Sequence, residues 1–131
     1  MKKKVETLRE NEEYVKAYDD SKFEKPSVTA DIVIFEMFDS EENNYRKISE
    51  KKLKVLLIQR GMEPFKDCYA LPGGFVRPEE SVCEAAEREL QEETNLNCNF
   101  LEQFGTYSDP ERDPRRWIIT NGFMALVSSN F

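Results

Sequence analysis

An α/β fold in one domain is what this sequence predicts, on three observations. Several runs rich in Val, Ile, Thr and Phe lack a helical period and read as strands. One segment, 79–94, contains neither Gly nor Pro and places Val82, Ala85, Ala86 and Leu90 on a single helical face. Pro-, Gly- and charge-rich stretches separate these segments, and at 131 residues with 39% hydrophobic content the chain can fill one packed core.

Residues 1–24 are charged, with Leu8, Tyr14, Val15 and Tyr18 at weak helical spacing, so a short helix or a loosely attached arm is expected there. The main domain is expected over 25–131. After Lys25-Pro26, the β-branched run 27–38 is the expected first core strand. The polar stretch 39–52 then separates it from a second apolar run, 53–59, which predicts a hairpin with a solvated loop. A loop at 61–65, a short strand at 69–71 and a turn at Pro72-Gly73-Gly74 lead into the helix over 79–94. Strands are expected over 100–108 and 117–128, with the charged, Pro-containing loop 109–116 between them.

Composition removes several function classes. A formal charge of -7 disfavours binding of this chain to nucleic acid, which needs clustered Lys and Arg. Histidine is absent, so Ser-His and Cys-His nucleophiles and histidine-ligated zinc are excluded; polar catalysis must rest on carboxylates, Lys, Arg, Tyr or a metal. Cys68, Cys83 and Cys98 form no C-x-x-C pair and read as semi-buried thiols of a reducing compartment. The longest apolar runs, 32–35 and 55–58, fall far short of the ~20 residues of a membrane span. The start Met1-Lys2-Lys3-Lys4 lacks the apolar stretch of a secretory signal, and a cytoplasmic protein is expected.

The chemistry concentrates on the helix. Glu89, Glu92 and Glu93 stand at i, i+3 and i+4 and so share one face. Like charges this close are tolerated when a hard divalent cation lies among them, and an oxygen-only ligand set fits magnesium or manganese better than zinc. Gly74, five residues, Glu80, seven residues, then Arg88-Glu89-Leu90-Gln91-Glu92-Glu93-Thr94-Asn95-Leu96 resembles the box of the Nudix family at every specified position but one. The exception is Asn95, where the family usually has glycine; asparagine is the next residue able to adopt the left-handed backbone of a helix stop.

The resemblance implies a Nudix α/β/α sandwich with a mixed sheet, and a magnesium-dependent pyrophosphohydrolase in which manganese can substitute. It makes Glu89, Glu92, Glu93 and the Gly73 carbonyl metal ligands, with Glu92 and Glu93 catalytic. Gly74 and a buried Glu80–Arg88 pair would support them. Glu111, in a loop beyond the box, is a weaker alternative base. Further stretches, among them Pro26-Ser27-Val28-Thr29 and Arg112-Asp113-Pro114-Arg115, are similar to the subgroup of ADP-ribose pyrophosphatases and Nudix-related transcriptional regulators of NAD metabolism. Its implied substrate is a nucleoside diphosphate linked to another group, ADP-ribose above all, with Arg112 and Arg115 as phosphate-binding residues and Arg116 near them. The alternative is an ADP-ribose-sensing domain whose DNA-binding domain is absent from this chain. Phe75, Tyr107 and Trp117 offer rings on which a base could stack, but aromatics in strands are more often core, and they are read as core.

Family members normally continue past the last strand here, which is expected to be a central one, into a further strand and a C-terminal helix. The expected consequence is an exposed edge or apolar surface and a weakly stable or self-associating chain, which a homodimer would cover.

Overall fold

The central strand of the protein is β1 (Ser27–Asp39), in a computed structural model that describes residues 2–39, 51–98 and 100–128. Its alternating pattern sends Ala30, Ile32 and Ile34, all fully buried, to one face and Thr29, Asp31 and Val33 to the other. On one side β1 runs parallel to β7 (Ile118–Ser128) along nearly its whole length, from Ser27 opposite Ile118 to Met37 opposite Ser128. On the other side two shorter strands share its length, both antiparallel. β5 (Gly73–Phe75) pairs with Thr29–Asp31 of the first half, and β2 (Lys51–Leu56) pairs with the second half. β6 (Leu101–Tyr107) closes the far side against β7, giving the order β2-β1-β7-β6 in a mixed sheet. A separate two-stranded ribbon, β3 (Ile58–Gln59) with β4 (Tyr69–Ala70), lies beside it.

The helix α2 (Val82–Thr94) packs on the face carrying Ile32 and Ile34. Ala85, Ala86 and Leu90 are buried against Phe123 and Ala125 of β7, with Val82 half-buried at the edge, as the apolar spacing predicts. Two alanines let the helix approach the sheet closely, while a buried Leu side chain contributes about 1.5–3 kcal/mol of hydrophobic stabilisation. The helix begins later than the Gly- and Pro-free stretch suggests because Ser81 caps it. The Ser81 hydroxyl accepts from the Glu84 amide at 3.2 Å and the Glu84 carboxylate accepts from the Ser81 amide at 2.7 Å, a reciprocal capping box. Asn95 ends the helix in the left-handed region at φ 57°, its amide donating to Gln91 O at 3.0 Å.

Three expectations need correction. Gly73 and Gly74 are not a plain turn: they belong to β5 and pair with Asp31 and Ala30. The run 53–59 is interrupted at Leu57, which separates β2 from β3. Phe75, Tyr107 and Trp117 are not core, being 41%, 51% and 42% exposed. The expected loop 39–52 lies mostly outside the described residues, although the antiparallel pairing of β1 with β2 bears out the hairpin. Of the three free thiols expected to be semi-buried, Cys98 alone is half-buried, while Cys68 and Cys83 are exposed.

Residues 1–24 contain a helix, α1 (Lys2–Ala17), followed by a 3₁₀ turn at Asp20–Lys22. Over residues 9–17 its side chains are exposed, and Tyr14, Tyr18 and Phe23 gather into an aromatic cluster with ring centroids 6.0 and 6.4 Å apart. β7 is central, as expected, and both its sides are paired, so no unpaired edge forms there. What lies open is the sheet face away from α2, where Val55, Leu126 and Phe104 are about half exposed. No helix among the described residues is long and apolar enough to cross a membrane.

Candidate active site

Capping and packing deliver the acidic residues of α2 to the mouth of the β5 segment. Arg88 is the organiser. Its guanidinium meets Glu80 with two hydrogen bonds, Nε to Oε2 at 3.0 Å and Nη2 to Oε1 at 2.6 Å, and Nη2 also donates to the Phe75 carbonyl at 3.1 Å. Both side chains of this pair are 16% exposed. Glu80 also accepts from the Arg77 amide at 2.7 Å. Arg88 beside it, then that amide, hold its carboxyl at about 2, well below the usual carboxylate range. The Arg88 guanidinium is in turn pushed above its ordinary value by Glu80. One bidentate pair thus ties the segment after β5 to the second turn of α2.

The three glutamates point to different partners. Glu93 accepts from the Gly73 amide at 2.8 Å. Glu89 pairs with Arg88 and lies against Gly74, where any Cβ would collide with the Glu89 carboxylate. Glu92 reaches toward Arg77 and Arg88, each at 3.4 Å, and is half exposed. Among the described residues no three acidic groups are gathered tightly enough to hold an ion as they stand. Glu89 and Glu93 nevertheless flank one glycine segment, and they are close enough for Glu89 to push the Glu93 pKa up. Burial is the main cause of that upward shift, with the Gly73 amide opposing it. The donors are all oxygen, which suits a hard divalent cation, and glycine at position 74 leaves the room a carboxylate there requires.

This corner opens into a cleft of about 520 Å³ that includes Gly73, Gly74, Glu93, Arg60, Arg112 and Arg115 in its walls. A second cavity of about 450 Å³ continues from it past Asp31 toward Phe104, Tyr107 and Gly122. Asp113 holds Arg115 in place with hydrogen bonds at 2.9 and 2.8 Å, and Arg115 in return keeps the Asp113 carboxyl at about 2. Arg115 also stands over the Phe75 ring, 5.7 Å from its centroid. Arg112 donates to the Ile118 carbonyl at 3.4 Å. Such a cleft offers guanidinium groups at one wall, a glycine segment and carboxylates at its inner end, and aromatic rings beyond.

Of the residues singled out in the sequence, Gly73, Gly74, Glu89, Glu93, Glu80 and Arg88 are brought together, and Arg112 and Arg115 line the cleft. Glu92 stands at the outer side of this group, Arg116 lies over Phe75 at 5.9 Å without lining the cleft, and Glu111 is exposed outside it. Sequence reasoning missed Asp31, Arg60, Thr29 and Thr120. Asp31 had one legible signal, a lone charge inside the apolar run Thr29-Ala30-Asp31-Ile32-Val33. Its pKa is raised, chiefly by burial, against the lowering effect of Thr120, Arg112 and Thr29.

Residues 48–129 match the family described as NUDIX domain. The chain belongs to that family. Among its curated relatives, the Nudix chain is 51% identical over 80 residues to the ADP-ribose pyrophosphatase of Methanocaldococcus jannaschii, covering 61% of this chain and 47% of that protein. It is 32% identical to the ADPR responsive transcriptional repressor NtrR of Acinetobacter baylyi, over 88% of this chain and 42% of the repressor. The Nudix chain therefore spans about half the length of the curated relatives it matches. The solved NUDIX domain of Shewanella oneidensis NrtR complexed with ADP ribose superposes with a TM-score of 0.73 at 33% identity, covering 90% of this chain and 71% of that one. The mixed sheet with its packed helix is thus the Nudix α/β sandwich.

Proposed function

We propose that this domain hydrolyses the phosphoanhydride of a nucleoside diphosphate linked to a second group, with ADP-ribose or a related dinucleotide as substrate and magnesium as cofactor, manganese substituting. The observation that carries this reading is Glu93, a carboxylate of α2 held by the Gly73 amide at 2.8 Å in the wall of an arginine-lined cleft. The name of the Methanocaldococcus jannaschii relative supports the substrate class.

Glu89, Glu92, Glu93 and the Gly73 carbonyl would hold the divalent ions, after rotation of glutamate side chains that now face Arg88, Arg77 and the Gly73 amide. Bound there, such ions supply neutralisation of the diphosphate charge and acidify water. The rest is the work of the chain. Arg112 and Arg115 meet phosphate oxygens with fork geometry, and Asp113 orients Arg115 beforehand. Removal of the proton of the attacking water falls to Glu92 or Glu93, the two catalytic carboxylates of α2. Glu80 and Arg88 act by fixing the glycine segment against α2, and Gly74 keeps space for Glu89.

The test is a hydrolysis panel in magnesium: ADP-ribose, NADH, diadenosine polyphosphates, sugar nucleotides and oxidised nucleoside triphosphates, with Glu93→Gln as control. The expected outcome is cleavage of ADP-ribose that the substitution lowers by ~10³ or more, the scale of losing a catalytic charge stabiliser. A second reading, an ADP-ribose sensor, is favoured by the similarity to the Acinetobacter baylyi repressor. Tight ADP-ribose binding without turnover in the same panel would select it.

A further inference from the structure

Across the sheet face that floors the cleft, one row of residues is almost without side chains. Asp31 of β1 stands opposite Gly73 of β5 on one side and Gly122 of β7 on the other, and Gly122 stands opposite Gly105 of β6. Four strands thus contribute three glycines and a single carboxylate. In the neighbouring row the hydroxyls of Thr29 and Thr120 lie 2.7 Å apart. Both turn toward Asp31, Thr29 donating to its Oδ2 at 3.5 Å. Among the described residues no Lys or Arg comes within ion-pair distance of Asp31, whereas Asp113, Glu80 and Glu89 each have one. Beyond the row, Phe104 leans over Gly122, its ring carbons 2.8 to 3.2 Å from where a Cβ would sit, and Tyr107 meets Phe104 edge to face at 6.3 Å.

A carboxylate accepts at about four lone-pair positions, and two threonine hydroxyls leave some of them unused. Its charge repels phosphate, so a diphosphate is kept to the arginine side. The groups it welcomes are neutral donors, presented from the cleft whose wall it forms. Between the arginine wall and the aromatic rings Asp31 therefore sits where the sugar of a nucleotide would pass.

Building on the proposed nucleoside diphosphate substrate, we propose that Asp31 is the specificity residue of the cleft: its carboxylate accepts from the vicinal hydroxyls of the nucleoside ribose, with the base lying against Phe104 and Tyr107 and the diphosphate toward Arg112 and Arg115. Asp31 selects ribonucleotides over deoxyribonucleotides.

The test compares ADP-ribose with its analogue built on 2′-deoxyadenosine, in magnesium, for the unaltered chain, Asp31→Asn and Asp31→Ala. A hydrogen bond to a charged acceptor corresponds to a preference of ~10- to 100-fold in kcat/KM for the ribo compound. Both substitutions are expected to shrink that preference toward unity by slowing the ribo compound alone; Asp31→Asn keeps the size of the side chain, so a folding failure of the alanine variant does not decide the matter. Equal use of both compounds by the unaltered chain, or a parallel loss on both in the variants, overturns the proposal. Should neither compound be cleaved, the hydrolase reading fails separately, and calorimetric titration of the same two compounds decides about Asp31. A ribo preference in binding that Asp31→Asn erases supports it; equal binding, or none, overturns it.

Discussion

Asn95 holds a backbone conformation that most residues avoid, and its side chain contributes as well: Gln91 donates to its Oδ1 at 3.0 Å while its own amide closes the helix. Replacing it by alanine removes the short polar side chain but keeps a Cβ in the left-handed region. Asn95→Ala is therefore expected to lower stability by about 1–2 kcal/mol, and Asn95→Gly to be nearly neutral, as read in denaturant midpoints; equal stability of all three would contradict the cap. This residue was legible because its spacing from Glu93 and Gly74 fixed its place in the box. Glu80 and Arg88 were legible for the same reason. Asp31 and Arg60 were not, since they reach the cleft from β1 and the end of β3, far in sequence from the box. Phe75 and Tyr107 were read as core because aromatic strand residues usually face inward; here their strands border a cleft.

At the scale of elements, the unit that matters is β5 with the first turns of α2, and Arg88 joins them. Glu80 has a depressed pKa in the folded chain, so its contribution is present above the ordinary carboxylate value of 4.5 and is lost as pH falls through that value toward about 2. Asp113 behaves in the same direction through Arg115. Asp31 and Glu93 shift the other way: their charged forms are disfavoured by burial, so protonating them in acid offsets part of the loss. The expected outcome is an acid unfolding limb between about 4.5 and 2 that Glu80→Gln flattens, while overall stability at neutral pH falls. Unchanged steepness in that window, followed by circular dichroism, would remove the pair from its supporting role. The helix itself was easy to foresee from Val82, Ala85, Ala86 and Leu90. Its start was not, because Glu79 and Glu80 carry helix-favouring side chains while Ser81 takes the cap. β5 escaped notice for a similar cause: two consecutive glycines signal a turn, and only a partner strand, β1, reveals them as a strand.

For the whole molecule, ion binding and folding are linked. A ligand that binds the native state alone stabilises it by RT ln(1 + [L]/Kd), about 2.7 kcal/mol at a hundredfold excess over Kd. Magnesium or manganese is therefore expected to raise the melting temperature, and Glu93→Gln to abolish the rise; a calorimetric scan in which chelator and metal give the same midpoint would count against ions at these glutamates. The exposed sheet face works in the opposite direction. Val55, Leu126 and Phe104 leave apolar area in water, which withholds stabilisation and favours contact with another surface. Its existence and the central place of β7 both followed from the family pattern, whereas the identity of the two flanking strands had to come from the pairing itself.

The glycine row has one more effect. At that level the covering is lent by side chains of other positions: the Phe104 ring overlies Gly122, the Tyr107 ring lies beside Gly105, and the Asp31 carboxylate lies against Gly73. A flat molecule arriving there must therefore stack on the outer side of the Phe104 ring or displace it from Gly122.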